Sequence, residues 1–312
     1  MLTFRFGYQL PSELDAGRLR ANAQAAEAAG FDVVHTSDHV NDGWSPLAPL
    51  LAVADATQHV RVCPLVLNND FRHPVHLARE IAAIDHFTDG RVELGLGAGH
   101  SFTEYEALGI DFDPPATRKA RLAESVEILR RLLDGEEVTR AGRFYQLERV
   151  RTMRSHQGHL PILVGVNGKA ALAHAARHAD TIGLTMLGRT LEDGQRHEVR
   201  WEPERLDRTV AHIRVAAAER ATPIEINALV QAVIVTTDRR RAAEAIAERL
   251  DGLTPEVARR APFLAIGTHD EIAEHLIECR RRWGISYFSV RDVEGFAPVI
   301  ERIRAFELSS VE

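Results

Sequence analysis

Three short segments, each following a predicted strand, carry residue types that could do chemistry. His39 comes directly after Asp38, and an imidazole, with an unperturbed pKa of about 6.5, can give or take a proton near neutral pH. His100 ends a glycine-rich turn. The segment NGK at 167–169 lies where a strand passes into a helix, and the N–H groups of a helix start can hold an anion. These patterns predict an anion-binding site beside groups that can exchange protons.

The glycine-rich turn raises a question of its own. The segment RVELGLGAGH, residues 91–100, alternates apolar side chains like a buried strand and also carries glycine at 95, 97 and 99. Because glycine has no Cβ, such a strand end lets a flat ring approach the main chain. The alternative is that the glycines only permit a tight turn or close packing of the strand.

A regular alternation of strands and helices positions these segments. Successive strands recur about every thirty residues, the size of one βα unit, and strands joined in this way are parallel. The predicted strands cover residues 3–8, 31–35, 60–67, 91–100, 161–165, 180–185, 225–236 and 285–290. The predicted helices cover residues 11–30, 46–57, 74–90, 117–133, 169–178, 204–220, 238–250 and 269–283.

Eight such units predict a closed (β/α)8 TIM barrel, in which reactive groups stand at the carboxyl ends of the strands. An open doubly wound sheet would carry a phosphate-binding glycine loop after its first strand, where this chain has YQLP. We expect residues 1–312 to form one barrel domain with insertions. The expected excursions are a small hairpin near 135–160 and a mobile loop or lid over 186–203.

Composition excludes several functional classes. The chain has 312 residues, 45% hydrophobic and 27% charged, and a formal net charge of -7 that comes from 38 basic and 45 acidic residues. This balance is unlike that of a disordered or nucleic-acid-binding protein. No apolar run resembles a signal peptide or a membrane span. With only two cysteines, we expect a cytoplasmic enzyme without a disulfide framework.

Metal chemistry is also weighed, because three histidines fall near strand ends, at His39, His73 and His100. Barrel metallohydrolases usually carry a His-x-His pair on the first strand, where this chain has FGYQ. We therefore expect no metal site.

Ordered segments covering most of the chain, apart from about residues 186–225, resemble one known family. They are FDVVHTSDHV, VRVCPLVLNNDFRHPVHLAREIAAIDHFTDGRVELGLGAGH, PILVGVNGKAALAHAARHADTIGLT and APFLAIGTHDEIAEHLIECRRRWGISYFSVR. Together they are similar to the bacterial luciferase-like superfamily, most closely to its deazaflavin (coenzyme F420)-dependent oxidoreductases.

The resemblance implies a luciferase-like barrel that holds F420, or alternatively FMN, in its mouth, acts on a small-molecule substrate and forms a homodimer. It also implies a cis peptide bond between Leu65 and Val66. The cofactor-binding residues that it implies are Asp38, His39, Leu65, Val66, Leu67, Gly97, Ala98, Gly99, Val166, Asn167, Gly168 and Lys169. The cofactor phosphate is expected at the amides of the last three.

Departures from the family pattern concern the substrate. The F420-dependent sugar-phosphate dehydrogenases carry a glutamate where this chain has His100, and their tryptophan lies one residue closer to the histidine than Trp44 lies to His39. Only two lysines occur, Lys119 and Lys169, so a lysine-rich pocket for a substrate phosphate is unavailable, although the many arginines could replace it. These departures argue against sugar-phosphate oxidation and leave the substrate open.

Three functions compete. The first is an F420-dependent reductase or dehydrogenase, which the TSDHV and NNDFRHP segments favour. The second is an FMN-dependent monooxygenase, and the third is a non-catalytic barrel that binds a ligand without turnover. For the first, we predict that His39 moves the proton that accompanies hydride transfer, with His100 as the second candidate. The alternative for His39 is a hydrogen bond that only fixes the pose of the bound ring.

Overall fold

The computed structural model describes residues 2–40, 43–190 and 197–309. Its strands, in chain order, are β1 (Arg5–Gln9), β2 (Val33–Thr36), β3 (Arg61–Pro64), β4 (Leu67–Asn68), β5 (Leu94–Gly97), β6 (Val138–Ala141), β7 (Gln146–Val150), β8 (Ile162–Gly165), β9 (Thr181–Leu184), β10 (Leu187–Thr190), β11 (His197–Val199), β12 (Glu225–Leu229), β13 (Ala232–Val235), β14 (Leu264–Gly267) and β15 (Ile285–Val290).

Its helices are α1 (Ala16–Ala28), α2 (Leu47–Ala56), α3 (Pro74–Phe87), α4 (Phe102–Leu108), α5 (Pro115–Leu133), α6 (Lys169–His178), α7 (Pro203–Ala216), α8 (Arg239–Ala247), α9 (Pro255–Ala258), α10 (His269–Trp283) and α11 (Val293–Ser309). A short 3-10 turn covers Asn69–Phe71. In the described part of the chain, no helix is long and apolar enough to cross a membrane.

The main sheet is a parallel barrel, which confirms the predicted fold class. Its strand order is β3-β2-β1-β15-β12-β9-β8-β5-β4. The third barrel strand consists of β3 and β4, separated by Leu65 and Val66, whose peptide bond is cis as the resemblance implies. Val62 at β3 forms a parallel bridge to Val92, and β4 pairs with β5, so the two halves complete the circle.

Two predicted segments differ from the structure. The strand predicted over 225–236 divides into β12, which is a barrel strand, and β13, which leaves the barrel and pairs in parallel with β14. In the segment 186–203, which was predicted to be a loop, β10 and β11 pair antiparallel. Residues 191–196, which belong to the predicted lid, lie outside the described residues.

Capping residues fix where several helices begin and end. Pro74 occupies the first turn of α3, which the preset φ of proline favours. Thr268 and Glu271 form a reciprocal capping box at the start of α10, and Gly284 ends that helix with a φ of 73°. These boundaries agree with the sequence patterns, whereas α4, α9 and α11 were not predicted.

The amino-terminal ends of the barrel strands are closed by paired charges. Arg5 lies against Glu93 and donates to Glu225 at 2.9 Å, while Arg61 Nε lies 2.6 Å from Glu93 Oε1. Burial would raise the pKa of Glu93, but the two guanidinium groups together hold it below its usual value. We call this end the floor of the barrel. The carboxyl ends of the strands form the opposite, open end, which we call the mouth.

Candidate active site

A cavity of about 450 Å³ opens at the carboxyl ends of the barrel strands. Most of the residues that the sequence predicted for the site line it, namely Asp38, His39, Leu65, Val66, Leu67, Gly97, Ala98, Gly99, His100, Val166 and Asn167. Gly168 and Lys169 are not among the lining residues. Gly168 is nevertheless close to the cavity, since a Cβ built on it would lie 3.5 Å from Nζ of Lys119, and Lys119 lines the cavity.

His39 is held by a carboxylate from the unpredicted helix α4. Its Nδ1 lies 2.8 Å from Oε1 of Glu104, whose side chain is 14% exposed while that of His39 is 46% exposed. An ionised carboxylate can only accept, so Nδ1 carries the hydrogen and Nε2 is the acceptor of the neutral ring. The residue that orients His39 is therefore Glu104, not the adjacent Asp38.

Asp38 has a different partner. Its two carboxylate oxygens accept from both terminal nitrogens of Arg72, at 2.5 and 3.0 Å, and Oδ2 also accepts from the main-chain N–H of Asn68 at 2.8 Å. This bidentate pair ties the end of β2 to the loop after β4. Asp38 thus forms part of the cavity wall, with its charge already neutralised.

His100 joins a row of three rings at the cavity mouth. Its ring centroid lies 5.9 Å from that of His39 and 5.3 Å from that of His197. Partial desolvation, together with the neighbouring His197, His39 and Arg118, lowers the pKa of His100 to about 4. The ring is therefore neutral near pH 7 and binds a proton only weakly at that pH. This favours His39 over His100 for the predicted proton transfer.

The glycines of β5 and of the turn that follows it serve two purposes. A Cβ on Gly95 would collide with the carbonyl oxygen of Pro64, and Gly95 does not line the cavity. Close strand packing, the alternative considered for the glycines, therefore accounts for Gly95. Gly97 and Gly99 do line the cavity, and Gly99 has a φ of 72°, in the left-handed region that favours glycine.

A hydrogen-bonded wall supports this turn. Tyr105 donates toward Asn68 Oδ1 at 3.1 Å and Asp70 Oδ2 at 3.0 Å, and burial raises its pKa to about 12. Arg118 Nη1 donates to the carbonyl of Gly99 at 2.8 Å. The main chain that carries Gly99 and His100 is thus fixed from behind by α4 and α5.

Three polar groups around the cavity have no partner among the described residues. Oε1 of Gln9 is buried without a hydrogen bond, and neither Lys119 nor Arg291 has an ion pair in the described part of the chain. Burial and the nearby Arg118 lower the pKa of Lys119, and partial desolvation lowers that of Arg291. Unpaired cations beside a cavity are available to anionic groups of a ligand.

Sequence reasoning missed Glu104 and Lys119 because both come from helices rather than from strand ends. A signal for Glu104 did exist, since Ser101 and Glu104 have the spacing of a capping box. In the structure Ser101 makes no side-chain cap, and Glu104 instead bonds His39. Gln9 and Arg291 directly follow predicted strands, so their position was available from the sequence.

Comparison with known proteins agrees with this architecture. The chain is 36% identical over 185 residues, 56% of this chain and 54% of the relative, to an F420-dependent glucose-6-phosphate dehydrogenase of Nakamurella multipartita. It is 34% identical over 194 residues, 57% of this chain and 56% of the relative, to the enzyme of that name from Microbacterium testaceum. The chain spans about half the length of these curated relatives.

Among solved structures, the coenzyme F420-dependent tetrahydromethanopterin reductase of Methanopyrus kandleri superposes with a TM-score of 0.76 at 19% identity, covering 97% of this chain and 100% of that chain. At this identity the likeness concerns the fold. The family model described as luciferase-like monooxygenase matches residues 1–287. The chain therefore belongs to the luciferase-like monooxygenase family.

Proposed function

We propose that this protein is an F420-dependent oxidoreductase that transfers a hydride between the deazaflavin and a small organic substrate. The observation that carries the proposal is the His39–Glu104 pair, which places a proton acceptor in the wall of the cavity. The curated relatives named F420-dependent glucose-6-phosphate dehydrogenases add support. An FMN-dependent monooxygenase is the alternative, favoured by the description of the family model.

The cavity wall fits a flat heterocyclic ring with polar edges. Gly97, Gly165 and Gly183 present only main-chain atoms to the cavity, and so leave room for a ring against the barrel strands. Oε1 of Gln9, buried without a partner, supplies an acceptor for a ring N–H. Leu65, Val66 and Leu67 add an apolar side. We assign the ring to this part of the cavity.

A bound deazaflavin supplies the hydride donor or acceptor. What the chain adds is a proton at the right atom, because a carbonyl, imine or activated alkene that gains a hydride must also gain a proton. Protonated His39 provides this proton from Nε2. In the reverse direction, neutral His39 removes a proton from the substrate. Glu104 stabilises the imidazolium that forms, because its carboxylate lies 2.8 Å from Nδ1.

The phosphate end of the cofactor is assigned to the start of α6, at Asn167, Gly168 and Lys169. Support comes from the helix start and from Lys119, whose Nζ lies 3.5 Å from a Cβ position built on Gly168. Replacing Gly168 is a poor test, since its φ of 92° makes any larger residue strained. Lys119→Gln is sharper, and Arg208→Gln is its control, because it removes an exposed cation of α7 that does not line the cavity.

Loss of a charged hydrogen bond to phosphate is worth about 1.5–3 kcal/mol, or roughly 10- to 100-fold in affinity. We expect Lys119→Gln to weaken F420 binding by that factor and Arg208→Gln to change it little. If the two variants bind F420 with equal affinity, Lys119 does not contact the phosphate and the assignment is wrong.

The choice between cofactors is tested by titrating F420 and FMN against the protein and following the quenching of their fluorescence. Tight binding of F420 supports the proposal. Tight binding of FMN with none of F420 would make the monooxygenase the better assignment. Binding of neither would favour a non-catalytic barrel.

We also propose that the substrate carries an anionic or strongly polar group that contacts Arg291. The guanidinium lines the cavity with no partner among the described residues, and it is partly desolvated.

That the enzyme is a homodimer and acts in the cytoplasm stays a prediction. Both cysteines, Cys63 and Cys279, are buried and free, which is compatible with a reducing compartment. Sedimentation of the purified protein would give the oligomeric state.

A further inference from the structure

A cluster of side chains that can ligate a metal lies away from the cavity, between α5 and α6. In the ranges that the structure describes, one group of at least three His, Cys, Asp and Glu side chains brings its ligand atoms within 4.8 Å of one another: Glu127, His174 and His178. Sequence analysis expected no metal site, but it considered only histidines near strand ends. This cluster comes from two helices instead.

Helix geometry places the two histidines together. His174 and His178 are four residues apart on α6, so both side chains lie on one face of the helix, and their ring centroids are 4.4 Å apart. Glu127 of the neighbouring α5 completes the cluster, with Oε1 2.9 Å from Nε2 of His174. Two imidazoles and one carboxylate therefore converge from two helices.

An ordinary ion pair explains only part of this arrangement. Glu127 satisfies His174, but His178 has no hydrogen bond among the described residues and contacts the ring of His174 instead. A bound metal ion would therefore give His178 the partner that the described residues do not supply.

Three guanidinium groups stand near the cluster, and two of them are already directed to acceptors of their own. Arg140 donates to Oε2 of Glu127 at 2.9 Å and also lies 3.3 Å from Glu124, so one guanidinium serves two carboxylates. Arg177 and Arg220 are the positive groups that act on His178. Arg220 is itself directed to the main-chain carbonyls of Ala176 and Arg177.

We propose that Glu127, His174 and His178 bind a divalent transition-metal ion of the Zn²⁺ type. Two imidazole nitrogens and one carboxylate oxygen suit Zn²⁺, Co²⁺ or Ni²⁺, whereas Mg²⁺ and Ca²⁺ prefer oxygen ligands alone. Three protein ligands leave one tetrahedral position for water. Arg140 holds the second carboxylate oxygen of Glu127 and so orients the ligating one.

The ion would join α5 to α6. Lys119 of α5 and Gly168, the residue that precedes α6, stand together at the assigned phosphate end. Metal binding would therefore stabilise the folded chain by mass action and hold these two helices together. The role is structural and does not depend on the proposed hydride transfer.

The test uses the untagged full chain and adds Co²⁺ or Zn²⁺ alone. We expect one equivalent of Co²⁺ to give the visible absorption of a four-coordinate site, and Zn²⁺ to displace it and raise the thermal unfolding midpoint. His178→Ala should weaken binding by more than the ~10- to 100-fold that follows loss of an outer-shell partner. His59→Ala, which removes an exposed imidazole elsewhere, should bind as the unchanged protein does.

Absence of a stoichiometric Co²⁺ signal, or equal binding by His178→Ala and the unchanged protein, would overturn the proposal. The unfolding midpoint of each variant without metal shows whether it folds. If His178→Ala does not fold, X-ray absorption of the Zn²⁺-loaded unchanged chain decides: two imidazoles and one carboxylate in the metal shell support the site, and any other ligand set contradicts it.

Discussion

The floor and the mouth of the barrel differ in whether their charged residues all have ion-pair partners. At the floor, Arg5 and Arg61 both pair with Glu93, and Arg5 also reaches Glu225. At the mouth, Lys119 and Arg291 line the cavity without an ion pair among the described residues. Charges at the floor thus complete one another within the chain. At the mouth Asp38 is paired with Arg72, but Lys119 and Arg291 are left for a ligand. The comparison separates residues that hold the barrel from residues that bind.

The largest effect is expected at the floor. Glu93→Gln removes the carboxylate that two guanidinium groups share, and loss of one partner of a buried ion pair costs about 3–5 kcal/mol. The free energy of unfolding, measured in urea, should fall by that amount. The matched control Glu106→Gln changes an exposed side chain and should stay within about 0.5 kcal/mol. Equal stability of the two variants would remove the distinction between floor and mouth.

The second effect concerns turnover at the mouth. His39→Gln should retain F420 affinity and stability but lose about 10²- to 10⁴-fold in kcat, the usual contribution of a positioned acid or base. The assay is hydride exchange between F420 and whichever substrate a screen identifies, with His59→Gln as control. Lost F420 affinity would instead support a role in fixing the ring. Unchanged turnover across the pH range would exclude both roles.

How far the sequence predicted these regions depends on what fixes each residue. Strand ends were predictable because Asp38, His39 and Gly97 follow apolar runs of a regular βα period. Glu104 and the β13–β14 pair were not, because their positions depend on packing between elements distant in the sequence. The segment 225–236 shows the limit, since β12 and β13 follow each other almost directly and only their pairing partners distinguish the barrel strand from the strand outside the barrel.

Acid should weaken the fold through histidines buried away from the mouth. Burial lowers the pKa values of His35, inside the barrel, and of His275 to about 4. Because the unfolded chain binds these protons more readily, the stabilisation is complete above about pH 6.5 and is lost as the pH falls toward 4. A shift of this size corresponds to roughly 3 kcal/mol for each histidine.

Urea unfolding at a series of pH values between 7 and 4 tests this. His275→Gln should flatten the pH dependence relative to the unchanged protein, and His59→Gln should not. A free energy of unfolding that stays constant or rises on acidification would contradict the expected direction.

The smallest expected effect tests the mouth itself. Arg291→Gln removes a cation that lines the cavity, and a charged hydrogen bond is worth about 1.5–3 kcal/mol. With an anionic substrate, KM should therefore rise about tenfold or more, while the free energy of unfolding changes little because no described ion pair is broken. Arg291→Lys keeps the charge and should recover part of the loss, and neutral substrates should be unaffected. If instead stability falls and KM does not change, Arg291 belongs with the residues that hold the barrel, and the contrast between the two ends of the barrel would not extend to the end of β15.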